Sequence, residues 1–122
     1  SMRCEPELTR RILEEIEAWD GRGVLSGQVL AGRMRADARM VNLHLHLLGQ
    51  DGWIRLAGKP HFSSRELDEV PDLVRVVSLT GKGRSFLSAA RRPGRWASVV
   101  QYLSDKAVDV SLAVLLQVTM RG

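Results

Sequence analysis

The chain has 122 residues, of which 44% are hydrophobic and 26% are charged, as in an ordinary globular domain. This length predicts one domain, and the single cysteine excludes an internal disulfide, so we expect a cytoplasmic protein. The most apolar run, Val110 to Met120, is interrupted by polar residues and is too short to span a bilayer. We therefore expect no membrane partner.

Positive charge is concentrated in the last third of the chain. The formal net charge is +4 and the sequence pI is about 10.0. Residues 1–80 hold 11 Lys and Arg against 12 Asp and Glu, whereas residues 81–122 hold 7 against 2. A basic cluster of this kind suits a polyanion such as nucleic acid, although a solvated face on two helices explains it equally well.

Three helices are predicted in the first part of the chain. The first runs from Pro6 to Trp19, where apolar residues recur at helical spacing. Ser26 follows the short apolar pair Val24-Leu25 and is a good N-cap for a second helix, although glycines at 27 and 32 weaken this prediction. After a tight corner, Asp37 is expected to cap a third helix that runs through Leu48.

Two strands with a long polar segment between them come next. Trp53 to Ala57 and Leu73 to Leu79 alternate apolar and polar side chains, which is typical of half-buried strands. The segment 58–72 carries both acids and bases: Glu66, Asp68, Glu69 and Asp72 against Lys59 and Arg65. An unstructured stretch of this length in a small domain indicates a binding loop or a mobile loop.

Three further helices are predicted after the second strand. Thr80 is expected to cap a fourth helix that ends near Arg91, and Pro93 to open a fifth. Asp109 or Ser111 would cap a sixth helix. This last helix is apolar around much of its circumference, which predicts either a dimer interface or burial between helices 1 and 5.

The stretch Arg39–Gly49, RMVNLHLHLLG, fits two structures. As a strand, it would place His44 and His46 on one face and suggest a metal site. As a helix, it would separate the two rings by about 200 degrees around the axis. Good helix formers favour the helix. We therefore expect no metal and no cofactor, with His44 buried and neutral and His46 facing solvent.

The predicted order of elements is that of a winged helix. Two short helices joined by a tight turn form a helix-turn-helix, and the hairpin that follows forms a wing with a long loop at 58–72. The expected fold class is α+β and mostly helical, with a three-helix core, a β-hairpin wing and additional C-terminal helices. One domain, 1–122, would hold the winged-helix core at 6–92 and a helical extension at 93–120.

Two motifs carry a resemblance to a known family. The first, His44-x-x-Leu47-Leu48-x-x-x-Gly52-Trp53-Ile54, resembles the junction between helix 3 and the wing of winged-helix proteins. The second, Leu79-Thr80-x-x-Gly83-x-x-Phe86-Leu87-x-x-Ala90-Arg91 with Trp96 soon after, resembles a family of short, uncharacterised winged-helix proteins of bacteria and their phages. The resemblance covers residues 3 to about 118. It implies the winged-helix fold and a bacterial or phage origin, but no established activity.

A protein with this fold is expected to bind double-stranded DNA as a regulator of transcription. A recognition helix presents its N-terminal residues to base edges in the major groove. Because arginine reads guanine and asparagine reads adenine, the base-facing candidates are Arg35, Arg39, Asn42 and His46. The candidates for phosphate contacts are Arg33, Lys59, Arg84, Arg91, Arg92 and Arg95.

A protein-interaction module, or adaptor, is the alternative. The acids of the wing would repel a duplex, and the third helix has one basic residue inside it, Arg39. The candidate surface for a homodimer or a protein partner consists of leucines: Leu43, Leu47, Leu112, Leu115 and Leu116. A two-fold homodimer would also suit DNA, because it presents two recognition helices to two half-sites.

No catalytic motif is visible in the sequence. The serines lie in no Gly-x-Ser-x-Gly elbow, and the glycines around Lys82 do not complete a phosphate-binding loop. An anion could dock on the backbone N–H groups of Gly81 and Gly83, although an ordinary helix start explains these glycines as well. We expect no enzyme.

Overall fold

The computed structural model describes residues 4–19, 22–63, 70–106 and 109–121. Within these ranges the chain forms six helices and one antiparallel sheet of three strands, so the predicted class, α+β and mostly helical, is confirmed. The helices are α1 (Pro6–Trp19), α2 (Gly27–Met34), α3 (Ala38–Gln50), α4 (Gly81–Ala90), α5 (Arg95–Lys106) and α6 (Leu112–Met120). The strands are β1 (Leu25–Ser26), β2 (Ile54–Leu56) and β3 (Arg75–Leu79).

Side-chain caps start four of the helices, as the sequence predicted. In each case the side-chain oxygen accepts a hydrogen bond from the backbone N–H three residues later. The capping residues are Ser26 for α2, Asp37 for α3, Thr80 for α4 and Ser111 for α6. Since such a cap contributes about 1 kcal/mol, these residues fix where each helix begins.

The ambiguous stretch Arg39–Gly49 is helical. It lies within α3, which continues to Gln50, two residues beyond the expected end. The strand interpretation of this stretch is therefore wrong, and with it the arrangement that placed His44 and His46 on one face.

β3 is the central strand of the sheet, and both neighbours pair with it in antiparallel orientation. Leu25 of β1 lies opposite Val76, and Ile54 of β2 lies opposite Leu79. These four side chains are buried, so one face of the sheet packs against the helices. The register shifts between Arg55 and Leu56. Such an irregularity shortens the regular pairing, and β2 and β3 are both shorter than predicted.

The start of α5 differs from the prediction. Pro93 does not open the helix, because it lies in the turn that separates α4 from α5. Gly94 follows it with φ of 75°, a left-handed conformation that favours glycine. The helix begins only at Arg95, whose N–H donates to Arg92 O at 3.0 Å.

α6 buries its leucines against the protein itself. Leu115 is 0% exposed and Leu112 is 7% exposed, and the helix packs on α4 and α5. The predicted burial is confirmed for these two leucines, with α4 in the place expected for helix 1, and a dimer interface on the rest of the helix stays a prediction. Leu112 and Leu115 cannot form the proposed partner surface, because the hydrophobic core already covers them.

The hairpin of β2 and β3, which we call the wing because it occupies the segment predicted as one, has a paired stem in its described part. His61 N–H donates to Leu73 O at 2.9 Å, which continues the antiparallel pairing beyond β2 and β3. Residues 64–69, which include Arg65 and the acids Glu66, Asp68 and Glu69, lie outside the described residues. No helix in the described ranges is long and apolar enough to cross a membrane.

Candidate functional site

The turn between α2 and α3 exposes two of the predicted base-facing arginines. Arg35 caps the C-terminus of α2 in a left-handed conformation, with φ of 54°. Arg39 lies in the first turn of α3, two residues after the cap Asp37. Both arginines are exposed, so the N-terminal end of α3 presents positive charge at the surface.

Asn42 is not available to read a base. It is 2% exposed, and its Nδ2 donates to the backbone oxygen of Asp72 at 3.0 Å. Gln28 donates to the same oxygen at 2.7 Å, so α2 and α3 together hold the end of the wing loop. Gly27 allows this arrangement, because a methyl group at that position would overlap Oδ1 of Asn42. The predicted role of Asn42 is wrong: its amide braces the fold.

His46 is half-buried under the wing. Its ring packs edge-on against Phe62, with 5.3 Å between the ring centroids and an interplanar angle of 82°. Burial lowers the pKa of His46. The expectation that this residue faces solvent, where it could reach DNA, is corrected: the ring is half-buried, with one side packed against Phe62.

His44 is buried and hydrogen-bonded, as predicted. Its Nδ1 donates to Met40 O at 2.8 Å, and its Nε2 accepts from Glu5 N–H at 2.9 Å. Burial lowers the pKa of His44, which favours the neutral ring that these two bonds require. Both ring nitrogens are therefore occupied by backbone groups. Across the described residues, no cluster of three or more His, Cys, Asp or Glu side chains could hold a metal ion.

Two of the predicted phosphate contacts form ion pairs with α1. Arg33 Nε lies 3.2 Å from Glu15 Oε1. Arg91 Nη2 lies 2.8 Å from Glu17 Oε1, and this hydrogen bond raises the pKa of Arg91. Both pairs are partly exposed, so each contributes little to stability. Their main consequence is that acids of α1 compete with phosphate for these guanidinium groups.

Two more of these arginines bind backbone oxygens. Arg84 Nη1 donates to Leu79 O at 3.1 Å, and Arg95 Nη1 donates to Thr119 O at 3.4 Å. The remaining candidates of the set, Lys59 and Arg92, are exposed.

Two exposed cations of the sheet were missed by the sequence analysis. Arg55 of β2 lies opposite Ser78, and Arg75 of β3 lies opposite Ser26, so neither faces an acid across the sheet. The alternation of the strands contained the signal, since an arginine between buried apolar residues points to the outer face. We call Arg35, Arg55, Lys59 and Arg75 the wing-side cations.

The hairpin of β2 and β3 joins α2 directly. Gly27 N–H donates to Val74 O at 2.9 Å, which fixes the first residue of α2 beside β3. Arg75 therefore lies near the N-terminus of α2 and Arg35 at its C-terminus. The eight residues of α2 separate the two ends by about 12 Å.

The glycines around Lys82 have a structural role at the junction of α3 and α4. Lys82 Nζ donates to Asp51 O at 2.9 Å, and Trp53 Nε1 donates to Asp51 Oδ2 at 2.6 Å. A methyl group at Gly83 would overlap the carbonyl oxygen of Trp53. Close packing and capping thus account for this motif.

The predicted leucine surface is reduced to side chains that are only partly exposed. Leu43, Leu47 and Leu116 are half-buried, and the latter two pack against the core.

Comparison of the chain with protein-family profiles, curated proteins and solved structures finds no match.

Proposed function

We propose that the chain is a winged-helix protein that binds double-stranded DNA and regulates transcription. In this proposal α2 and α3 form the helix-turn-helix and β2 and β3 form the wing. The element order α1-β1-α2-α3-β2-β3 and the strand order β1-β3-β2 support it, because they bring the hairpin beside the second helix. In such a complex the exposed cations of the turn and the hairpin would face the negatively charged phosphates of the duplex.

The position of the wing-side cations is the observation that carries the proposal. These four side chains are exposed on the turn between α2 and α3 and on the hairpin. By contrast, Arg33 and Arg91 pair with acids of α1, and Arg84 and Arg95 bind carbonyl oxygens. The span of about 12 Å between the two ends of α2 is close to the width of the major groove.

Phosphate contacts would supply most of the affinity in this proposal. Asn42 is buried and His46 is half-buried, so direct contacts to base edges are limited to Arg35 and Arg39. Contacts to phosphate orient a protein on a duplex but carry no sequence information. We therefore expect modest sequence preference and strong dependence on salt.

A salt titration of duplex binding tests the proposal. The logarithm of the binding constant falls by about 0.9 for each tenfold rise in salt per phosphate contact, so phosphate contacts by Arg55, Lys59 and Arg75 predict a slope of roughly −2.7. The double variant Arg55→Ala, Arg75→Ala should reduce the magnitude of that slope by about 1.8. Arg92→Ala, which removes an exposed cation from the turn after α4, is the matched control and should leave the slope unchanged. Absent binding, or a larger loss with Arg92→Ala, would contradict the proposal.

A protein-binding adaptor is the second candidate, and the outer side of α3 favours it. Leu43 and Leu47 are half-buried there, and the nearby Phe62 is 39% exposed. An apolar surface of this kind suits a protein partner or a second copy better than it suits DNA. Light scattering that shows a dimer abolished by Phe62→Ser, together with no duplex binding, would favour this candidate.

A further inference from the structure

A shallow cavity of about 530 Å³, open to solvent, lies between α5 and α6 beside the turn at Pro93 and Gly94, on elements that the proposed DNA interface does not use. Its volume falls within the roughly 300–1,000 Å³ that small-molecule sites occupy. The residues that matter for its chemistry are Arg95, Ser98, Val99, Tyr102, Val118 and Arg121.

Helical spacing explains why these side chains meet. Four of them occur on α5 at i, i+3, i+4 and i+7, which places them on one face of the helix. Val118 and Arg121 come from the C-terminal end of α6, three residues apart. The hydrogen bond from Arg95 Nη1 to Thr119 O, 3.4 Å long, joins the start of α5 to the end of α6 and holds the guanidinium at that end of the cavity.

The charged side chains that line the cavity are positive. Arg95 and Arg121 line it, and no carboxylate appears among the described lining residues. Lys106 Nζ lies 5.0 Å from the centroid of the Tyr102 ring and adds a third cation near the rim. The neighbouring acid on α5, Asp105, accepts hydrogen bonds from Gln101 at 3.1 and 3.3 Å and keeps its negative charge, but it is not among the described lining residues. The cavity therefore favours an anion.

The ring of Tyr102 adds a second recognition element. It is 39% exposed and lies seven residues from Arg95, which corresponds to about 10 Å along the helix axis. The half-buried Val118 supplies most of the apolar surface between the two, because Val99 is only 2% exposed. This arrangement suits a ligand that carries an anionic group at one end and a flat ring at the other, and it is too long for a free phosphate ion.

We propose that this cavity binds an organic anion of mononucleotide size, with its phosphate at Arg95 and Arg121 and its aromatic ring against Tyr102. The Ser98 hydroxyl is a further donor on the same face. The proposal is independent of the DNA-binding proposal, because none of these residues belongs to α2, α3 or the wing.

The single tyrosine of the chain makes the test specific. Labelling with 3-fluorotyrosine gives one ¹⁹F resonance, located in this cavity, and the probe ligand is adenosine monophosphate. We expect a saturable shift with a Kd below about 1 mM. Arg121→Ala should weaken binding at least about tenfold, because charge-assisted hydrogen bonds are the stronger ones. Arg92→Ala, outside the cavity, should leave the Kd unchanged.

Two fragments and two further variants complete the test. Adenosine and inorganic phosphate should each bind at least about tenfold more weakly than the intact nucleotide, since each occupies one end of the cavity. Tyr102→Ala, followed through the backbone amide of Ser98, should weaken binding, whereas Tyr102→Phe should retain it. No shift up to about 10 mM nucleotide, equal affinity for phosphate alone, or unaltered binding by Arg121→Ala would overturn the proposal.

Discussion

Replacing Gly27 with alanine should destabilise the fold, whereas the same change at Gly32 in the same helix should not. A methyl group at Gly27 would overlap Asn42 Oδ1, and would lie 2.9 Å from Asn42 Cγ and 3.3 Å from Leu45 Cδ1. Favourable carbon–carbon contacts are about 3.5–4.0 Å long, so α2 and α3 would have to separate or the Asn42 side chain would have to leave. Nothing lies within 4 Å of the equivalent position at Gly32.

The magnitude follows from what Asn42 would lose. Displacing its amide breaks the 3.0 Å hydrogen bond to Asp72 O and leaves a buried polar group without a partner, which costs about 1–3 kcal/mol. Overpacking between the two helices adds about 1–3 kcal/mol. We expect Gly27→Ala to lower the free energy of unfolding by about 2–4 kcal/mol. Gly32→Ala should raise it by about 0.5–1 kcal/mol, because glycine is unfavourable inside a helix.

Urea unfolding followed by tryptophan fluorescence measures both changes, since Trp53 is fully buried and becomes exposed on unfolding. A double-mutant cycle that combines Gly27→Ala with Asn42→Ala isolates the contact between the new methyl group and the Asn42 side chain. The double variant should lose less stability than the sum of the single variants, because removing the amide makes room for the methyl group. Equal effects of alanine at Gly27 and Gly32, or an additive cycle, would refute the reasoning.

Three further predictions concern the core. Gly83→Ala should lower the free energy of unfolding by about 1–3 kcal/mol, because the backbone carbonyl of Trp53 cannot rotate away as a side chain can. Gly81→Ala, with nothing within 4 Å, should not lower it. Burial lowers the pKa of His44 below its ordinary 6.5, so below that pH the unfolded chain binds a proton that the folded chain does not. The contribution of His44 to the free energy of unfolding should therefore be fully present above pH 6.5. It should decrease as the pH drops towards the folded pKa and change no further below that pKa. Urea titrations at a series of pH values measure it. Burial also raises the pKa of the Cys4 thiol to about 11, so a thiol reagent should modify Cys4 slowly in the native protein and rapidly in urea.

Each of these three predictions has a result that would contradict it. Equal destabilisation by the two alanine substitutions would show that contact with Trp53 is not the cause. His44→Gln should flatten the pH dependence, with the remaining slope due to His46, whose pKa burial also lowers. An unchanged profile would count against the buried neutral ring. Rapid modification of the native protein would show that Cys4 is accessible.

Local signals in the sequence predicted the helices well. Ser26, Asp37 and Thr80 were predicted as caps, and Ser111 as one of two candidates with Asp109, because a short polar side chain at a helix start has a partner three residues away. The buried neutral state of His44 was predicted correctly from its position on the apolar face of α3. In all these cases the deciding contact lies close in the chain or follows from helical periodicity.

Predictions failed where distant segments decide the environment of a side chain. Asn42 is buried because Gly27 approaches it and because Asp72, 30 residues away, supplies an acceptor. Arg91 pairs with Glu17 across 74 residues, so its position in the basic cluster did not reveal its partner. Composition shows how many charges the chain has, but only the fold decides which of them neutralise one another.

The outer face of the sheet could have been identified from the sequence. Arg55 and Arg75 stand at alternating positions within the predicted strands, and both are exposed. The sequence analysis assigned phosphate contacts mainly to the C-terminal basic cluster instead. The density of charge was greater there, but three of those arginines bind acceptors within the chain: Arg84, Arg91 and Arg95.

The most direct test of DNA binding is to map the backbone amides whose NMR signals change when a duplex is added to the ¹⁵N-labelled protein. The account predicts that the shifts concentrate in the turn between α2 and α3, at 35–40, and on the hairpin, around Arg55, Lys59 and Arg75. Their size should decrease as salt is added, because phosphate contacts supply the affinity. Shifts confined to α5 and α6, or no shifts at low salt, would contradict the account.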